Sequence, residues 1–155
     1  MDIKFDVDGY RFNLRSSCII KDKEHKKVIL TYMRALKDRE AYILPGGRCE
    51  LLESSYDNIK REIKEELGFD VEVKLISVEE NFCKETKFHM IEFVFYAEVD
   101  KFDDEQTYDD GWDKFKIVNI SNIDNFDIRP KTVKDLIKQE EYNKITHNVN
   151  YDWGN

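Results

Sequence analysis

The sequence predicts an α/β fold of the α+β kind, in which one long amphipathic helix interrupts a series of strands. Three observations carry this reading. Apolar residues alternate with polar ones along residues 3–16, 69–75 and 88–99, the two-residue period of strands. Ile59, Ile63 and Leu67 recur instead at the spacing of a single helix face. The chain has 155 residues, 41% of them hydrophobic and 13% aromatic, enough for one domain built on one sizeable core. A single domain over residues 1–155 is therefore expected.

The elements follow in order. Ile3, Phe5 and Val7 alternate up to Asp8-Gly9, a strong hairpin turn, and Tyr10, Phe12 and Leu14 resume the pattern. The second strand runs on through Ser17-Cys18-Ile19-Ile20. Residues 28–33 have the β-branched and apolar content of another strand. Residues 34–40 read as a charged loop, and Tyr42-Ile43-Leu44 as a short strand stopped by Pro45-Gly46-Gly47.

Ser54 or Ser55 can cap the helix over residues 54–67, and Gly68 ends it. Phe69, Val71, Val73 and Leu75 then alternate like a strand, as do segments near 77–82 and 88–99. Val94-Phe95-Tyr96-Ala97 reads as buried on both faces. Residues 100–113 form an acidic loop whose length favours function or mobility. Residues 115–120 make a last strand. Pro130 starts a helix with Val133, Leu136 and Ile137 on its apolar side, and residues 140–155 are expected to fray.

A net charge of −8 gives a surface that repels a phosphate backbone or an anionic membrane, so neither a nucleic acid polymer nor a membrane is an expected partner. A small anion can still bind where divalent cations reverse the local potential. Cys18, Cys49 and Cys83 are odd in number and lack zinc-ligand or Cys-x-x-Cys spacing, which suits reduced thiols in a cytoplasm. The first residues carry no secretory signal, and no apolar run reaches the roughly 18 to 20 residues of a membrane span. A soluble, cytoplasmic protein is the expectation.

The chemistry concentrates around the helix. Glu62, Glu65 and Glu66 stand at positions i, i+3 and i+4, which a helix places on one side. Three like charges together cost stability unless a cation neutralises them, and hard oxygen ligands without a nearby histidine suit magnesium or manganese. Gly46 and Gly47 let the backbone fold tightly beside the helix start, where a carbonyl can serve as a further ligand. A charged helix is ordinarily only a solvated face; the spacing of the flanking residues sets this one apart.

From Gly47 to Phe69 the chain fits Gly-x5-Glu-x7-Arg-Glu-U-x-Glu-Glu-x-Gly-U, with U a bulky apolar residue, through Gly47, Glu53, Arg61, Glu62, Ile63, Glu65, Glu66, Gly68 and Phe69. This resembles the signature box of the Nudix hydrolases. Tyr42-Ile43-Leu44-Pro45-Gly46-Gly47 before it, and the stretch from Trp112 to Pro130, also look like the family. The resemblance implies a Nudix-type α/β/α sandwich around a mixed β-sheet with a loop-helix-loop catalytic motif. It also implies magnesium-dependent, MutT-like hydrolysis of a pyrophosphate bond in a nucleoside diphosphate linked to another moiety. No branch motif for ADP-ribose, NADH or coenzyme A is present, which tilts the substrate towards a nucleoside triphosphate. An ADP-ribose or sugar-nucleotide hydrolase, or a non-catalytic nucleotide sensor, are the alternatives.

Position by position, the resemblance makes Glu62, Glu65 and Glu66, with the Gly46 carbonyl, the residues that ligate metal or handle the attacking water. Glu53 and Arg61 match a pair that braces the loop on the helix; a guanidinium fork suits a carboxylate bidentately. A general base outside the box would come from Glu105, Asp104, Asp109 or Glu92, with Glu105 favoured. Tyr42, Phe82 and Trp112 are candidates to stack on a base. Arg34, Lys37 and Arg39 are candidates to meet a distal phosphate. An edge strand or the 2–15 hairpin could mediate a homodimer.

Overall fold

The computed structural model describes residues 1–33, 40–103, 115–151 and 153. The hairpin forms as expected, with β1 (Lys4–Val7) and β2 (Tyr10–Asp22) paired antiparallel, Val7 opposite Tyr10. Asp8 and Gly9 both take positive φ, 51° and 80°, the twist that a two-residue hairpin turn requires. β1 itself is exposed, and its Phe5 ring stacks on Phe12 at 4.8 Å.

β3 (Lys27–Tyr32), β4 (Tyr42–Ile43) and β5 (Gly46–Arg48) follow, then α1 (Ser55–Leu67), β6 (Lys74–Cys83), β7 (Phe88–Val99) and β8 (Phe115–Asn119). A 3₁₀ turn (Ile120–Asn125), α2 (Lys131–Lys138) and β9 (Thr146–Asn150) complete the described chain. The strands join one mixed sheet whose main path runs β4-β3-β2-β7-β6-β9; β1 and β5 add to β2, and β8 to β3. The β2–β7 and β6–β9 pairs are parallel and the other ladders antiparallel.

Alternation along the central strands supplies two cores. Cys18, Ile20, Ile29, Phe95 and Ala97 face α1, where Ile59, Ile63 and Leu67 pack on them. Ile19, Val28, Leu30 and Val94 face the opposite way, under Val133, Leu136 and Ile137 of α2. The expected burial of residues 94–97 on both faces is therefore right, and the layers are those of an α/β/α sandwich.

α1 has the predicted ends. The Ser54 side chain accepts from the Asp57 amide at 3.0 Å, and Gly68, in the left-handed region at φ 75°, donates its N–H to the Lys64 carbonyl at 3.0 Å. Three expectations need correction. Residues 69–73 do not join the sheet: Phe69, Val71 and Val73 lie on the α1-side core, and alternation reports one buried face whether or not a ladder partner exists. Gly46-Gly47-Arg48 is a short strand rather than only a stop. Residues 115–120 are not the last strand and residues 146–150 do not fray. β9 pairs with β6 from Ser77↔Thr146 to Asn81↔Asn150, and Thr146 and Asn150 make side-chain bonds to Ser77 and Asn81 at 2.9 Å each.

Candidate active site

β5 is the edge on which the site is built. Its register on β2 sets Gly47 opposite Ser16 and Gly46 opposite Ser17. A Cβ on Gly46 would fall 2.1 Å from the Ser16 carbonyl oxygen, and one on Gly47 would fall 2.2 Å from Glu62 Oε1. The first glycine lets two backbones meet; the second leaves room for a carboxylate of α1 to lie against the strand.

Arg61 organises the acidic groups around this edge. Its Nε and Nη2 donate to both oxygens of Glu53, at 2.7 and 3.0 Å, and its Nη1 donates to Glu62 and Glu65 at 3.2 Å each. Glu53 also accepts from the Glu50 amide and from Asn58 Nδ2, the latter a buried side chain that donates as well to the Arg48 carbonyl. The guanidinium and these donors hold the Glu53 carboxyl down at about 2. The brace expected of Glu53 and Arg61 is thus present in bidentate form.

Glu62 and Glu66 line a cleft of about 440 Å³, together with Gly46, Gly47, Arg15, Asn13, Met90, Glu92, Phe88 and Trp153. Burial pushes the Glu62 carboxyl up, opposed by the Arg61 charge and by a hydrogen bond shared with Glu66. Glu65 does not line the cleft. Its side chain is 59% exposed and turned to Arg61. The expectation that three glutamates converge is met by two, because consecutive residues on a helix diverge by about 100°, and Glu65 and Glu66 fall on either side of Glu62.

Arg15 and Trp153 are cleft residues that the sequence reading missed. Arg15 donates from Nε to Glu92 at 3.1 Å and from Nη2 to the Leu44 carbonyl at 2.8 Å. The signal for it was the phase of β2: Asn13, Arg15 and Ser17 share a face with buried Ile19, so a cation was directed inwards. Trp153 had no signal, since it arrives through β9. Glu92, weighed as a base, is 3% exposed on the cleft floor, and burial pushes its carboxyl up.

Other candidates sit elsewhere. Tyr42 is 2% exposed, its ring packed on Tyr32 at 4.9 Å and Phe126 at 5.5 Å, so it belongs to the α2-side core and offers no face to a base. Phe82 lies in a neighbouring groove of about 340 Å³ with Tyr10, His89 and Tyr151, away from the glutamates. Arg34, Lys37, Arg39, Asp104, Glu105, Asp109 and Trp112 lie outside the described residues.

The cleft has five carboxylates, Asp2, Glu50, Glu62, Glu66 and Glu92, against three guanidiniums, Arg15, Arg48 and Arg61. A polyphosphate entering it meets net negative charge unless cations accompany it. Among the described residues no three His, Cys, Asp or Glu side chains group closely enough to enclose a metal ion. Two carboxylates beside a backbone edge nevertheless fit magnesium, which keeps several waters and takes substrate phosphate oxygens rather than an all-protein cage.

Sheet, sandwich and a glutamate-bearing loop-helix-loop at a glycine edge define a hydrolase of pyrophosphate bonds, a class that acts on small nucleotide-like substrates and generally uses divalent cations. The NUDIX domain model matches residues 12–137, and the chain belongs to that family. It is similar in fold to a MutT protein from Bacillus halodurans, at TM-score 0.65 and 20% identity over 91% of this chain and 92% of that one. It is likewise similar to a NUDIX hydrolase from Nitrosomonas europaea, at 0.63 and 21% over 81% and 86%, and to a MutT protein from Methanosarcina mazei Go1, at 0.62 and 19% over 86% and 94%. No curated protein matches the chain.

Proposed function

We propose that this protein hydrolyses a pyrophosphate bond of a nucleoside triphosphate with magnesium as its cation, manganese serving in its place. The observation that carries the reading is that Glu62 and Glu66 line one cleft together with Gly46, Gly47 and Arg15. A divalent cation held by Glu62, Glu66 and the Gly46 carbonyl would shield the anhydride from its own negative charge and from the acidic cleft. Burial pushes the Glu62 carboxyl up, which suits it to accept a proton from the attacking water. Arg15, 16% exposed and anchored by Glu92, places a fixed positive charge where phosphate oxygens gather. Arg61, tied to Glu53, keeps Glu62 in place and prevents the acidic turn from splaying. The excess of cleft carboxylates, and the buried Cys18, Cys49 and Cys83, which form no disulfide among the described residues, agree with a magnesium-rich, reducing cytoplasm as its setting.

The test is Glu66→Gln, assayed by phosphate release across nucleoside triphosphates, ADP-ribose, dinucleoside polyphosphates and nucleotide sugars. The expected outcome is loss of magnesium-dependent turnover by at least about a hundredfold with an unchanged melting temperature in metal-free buffer. Full activity in that variant, or tight nucleotide binding by the parent with no hydrolysis under any divalent metal, would overturn the reading.

A further inference from the structure

Two buried glutamates face each other across one rung of the sheet beside the cleft. Glu79 of β6 is the direct partner of Glu92 on β7, and Glu92 is in turn the partner of Arg15 on β2. β9 extends the row with Asn148 opposite Glu79. Partners on a rung share a face with Cβ atoms about 4.5 to 5.5 Å apart, so the two carboxyl groups reach one space. Glu79 is 0% and Glu92 3% exposed.

Each carboxyl uses one oxygen and leaves the other idle. Glu92 Oε2 accepts from Arg15 Nε at 3.1 Å, and Glu79 Oε1 accepts from Thr132 Oγ1 of α2 at 2.6 Å. Glu92 Oε1 and Glu79 Oε2 are buried with no hydrogen-bond partner among the described residues. Two ionised carboxylates here would set two charges against the one guanidinium of Arg15, and a buried anion without a partner is strongly disfavoured. One proton removes the conflict. A carboxylic acid donates where a carboxylate can only accept, so a protonated Glu79 satisfies both idle oxygens in a single bond.

The surroundings decide which residue carries that proton. Arg15 favours the charged form of Glu92, as do Ser17 and Asn81 beside it, whose Oγ and Nδ2 also lack a partner at bonding distance. Glu79 meets uncharged groups on every other side: Thr132 from α2, Asn148 from β9, and Ser77 and Asn81 on its own strand. The nearby charges are engaged or exposed. Glu80 pairs with His147, Arg129 with Asp127, Lys134 and Lys138 lie by Asp124, and Lys131 and Asp135 are exposed. Burial pushes the Glu79 carboxyl up, opposed by donors on Thr132 and Asn148 and reinforced by the Glu92 charge.

We infer that Glu79 keeps its proton at neutral pH and donates it to Glu92, so that Glu92 bears a single charge matched to Arg15 and holds that guanidinium in the cleft. Glu79 is thus a positioning residue for Arg15. The inference rests on the proposed anhydride hydrolysis for its kinetic arm only.

The experiment compares the parent protein with Glu79→Gln and Glu79→Ala. Infrared difference spectra of the parent against Glu79→Gln at pH 7 are expected to show the C=O stretch of a protonated carboxylic acid. Melting temperatures supply a second readout. A carboxyl whose folded pKa is raised costs nothing below the ordinary value near 4.5 and an increasing amount as pH rises towards the folded one, a cost that glutamine does not carry. The Tm of Glu79→Gln is therefore expected to gain about 2 to 4 °C on the parent's between pH 5 and 8. In the kinetic arm, KM for a nucleoside triphosphate is expected to rise about tenfold in Glu79→Ala with kcat within about threefold, and Glu79→Gln, which restores a neutral donor, to return KM to within about threefold of the parent's. Absence of the acid band, a Tm difference that is flat or shrinks as pH rises, or a KM unmoved in Glu79→Ala overturns the inference. Should Glu79→Ala fail to fold, the spectra and melts of Glu79→Gln still decide it. If the parent hydrolyses no anhydride, the hydrolase reading falls while those two measurements continue to report on the proton.

Discussion

Glu53→Gln isolates the charge of the loop-to-helix brace. Glu53 accepts four hydrogen bonds, two from Arg61 and one each from the Glu50 amide and Asn58, and is 15% exposed. Its carboxyl lies at about 2 in the folded protein against an ordinary 4.5. That difference favours the ionised form by about 3 kcal/mol at 1.36 kcal/mol per unit. Solvent at the open edge, and the one acceptor oxygen that glutamine keeps, reduce the expected cost at pH 7 to about 2 kcal/mol. For a chain of this size that is roughly 4 to 8 °C in Tm.

The pH dependence follows from the depressed value. A carboxylate with a folded pKa below its unfolded one contributes stability in full above about 4.5 and loses it as pH falls towards about 2. The difference between parent and variant should therefore be largest at neutral pH and shrink below about 4.5. Urea unfolding of both proteins at pH 7, 4 and 2.5 measures it. A gap below about 0.5 kcal/mol at pH 7, or one that does not narrow with acid, would refute an electrostatic brace and leave only packing.

Three further predictions concern β5 and the loop that follows it. Gly46→Ala places its Cβ 2.1 Å from the Ser16 carbonyl, which is backbone and cannot yield, so it should destabilise the fold by about 3 kcal/mol or more in denaturant melts. Gly47→Ala meets the Glu62 carboxylate first, the far end of a flexible side chain, so it should melt within about 1 kcal/mol of the parent while losing at least about a hundredfold in kcat. Leu52 is fully exposed and holds φ at 67°, a conformation that costs a leucine about 1 kcal/mol. Leu52→Asn should raise stability by about 0.5 kcal/mol, read as a small upward shift in urea midpoint at constant slope.

The local grammar of this chain was open to reading without coordinates. The α1 boundaries were legible because Ser54 and Gly68 act on the backbone next to them. The hairpin was legible because Asp8-Gly9 needs no distant partner. β7 was legible because its apolar run over residues 94–97 suits a central strand buried on both faces. Glu53 and Arg61 could be paired through the resemblance of residues 47–69 to the Nudix box, and the structure holds them together by two hydrogen bonds. Residues 69–73 show the limit of the same reasoning: alternation tells which face is buried and says nothing of what covers it.

What the sequence by itself determined is the helix with its glutamates, the glycines beside it and the strands whose two faces make the sandwich, all set by interactions between near neighbours. Only the tertiary structure decided that Glu62 and Glu66 share a cleft while Glu65 turns to Arg61, and that Tyr42 is core. The same holds for Arg15 and Glu92 on the cleft floor, and for the parallel pairing of β9 with β6 that carries Trp153 to the cleft. The reason is physical. Parallel ladders and buried ion pairs join residues far apart along the chain, and their free energy exists only once both partners have been brought together.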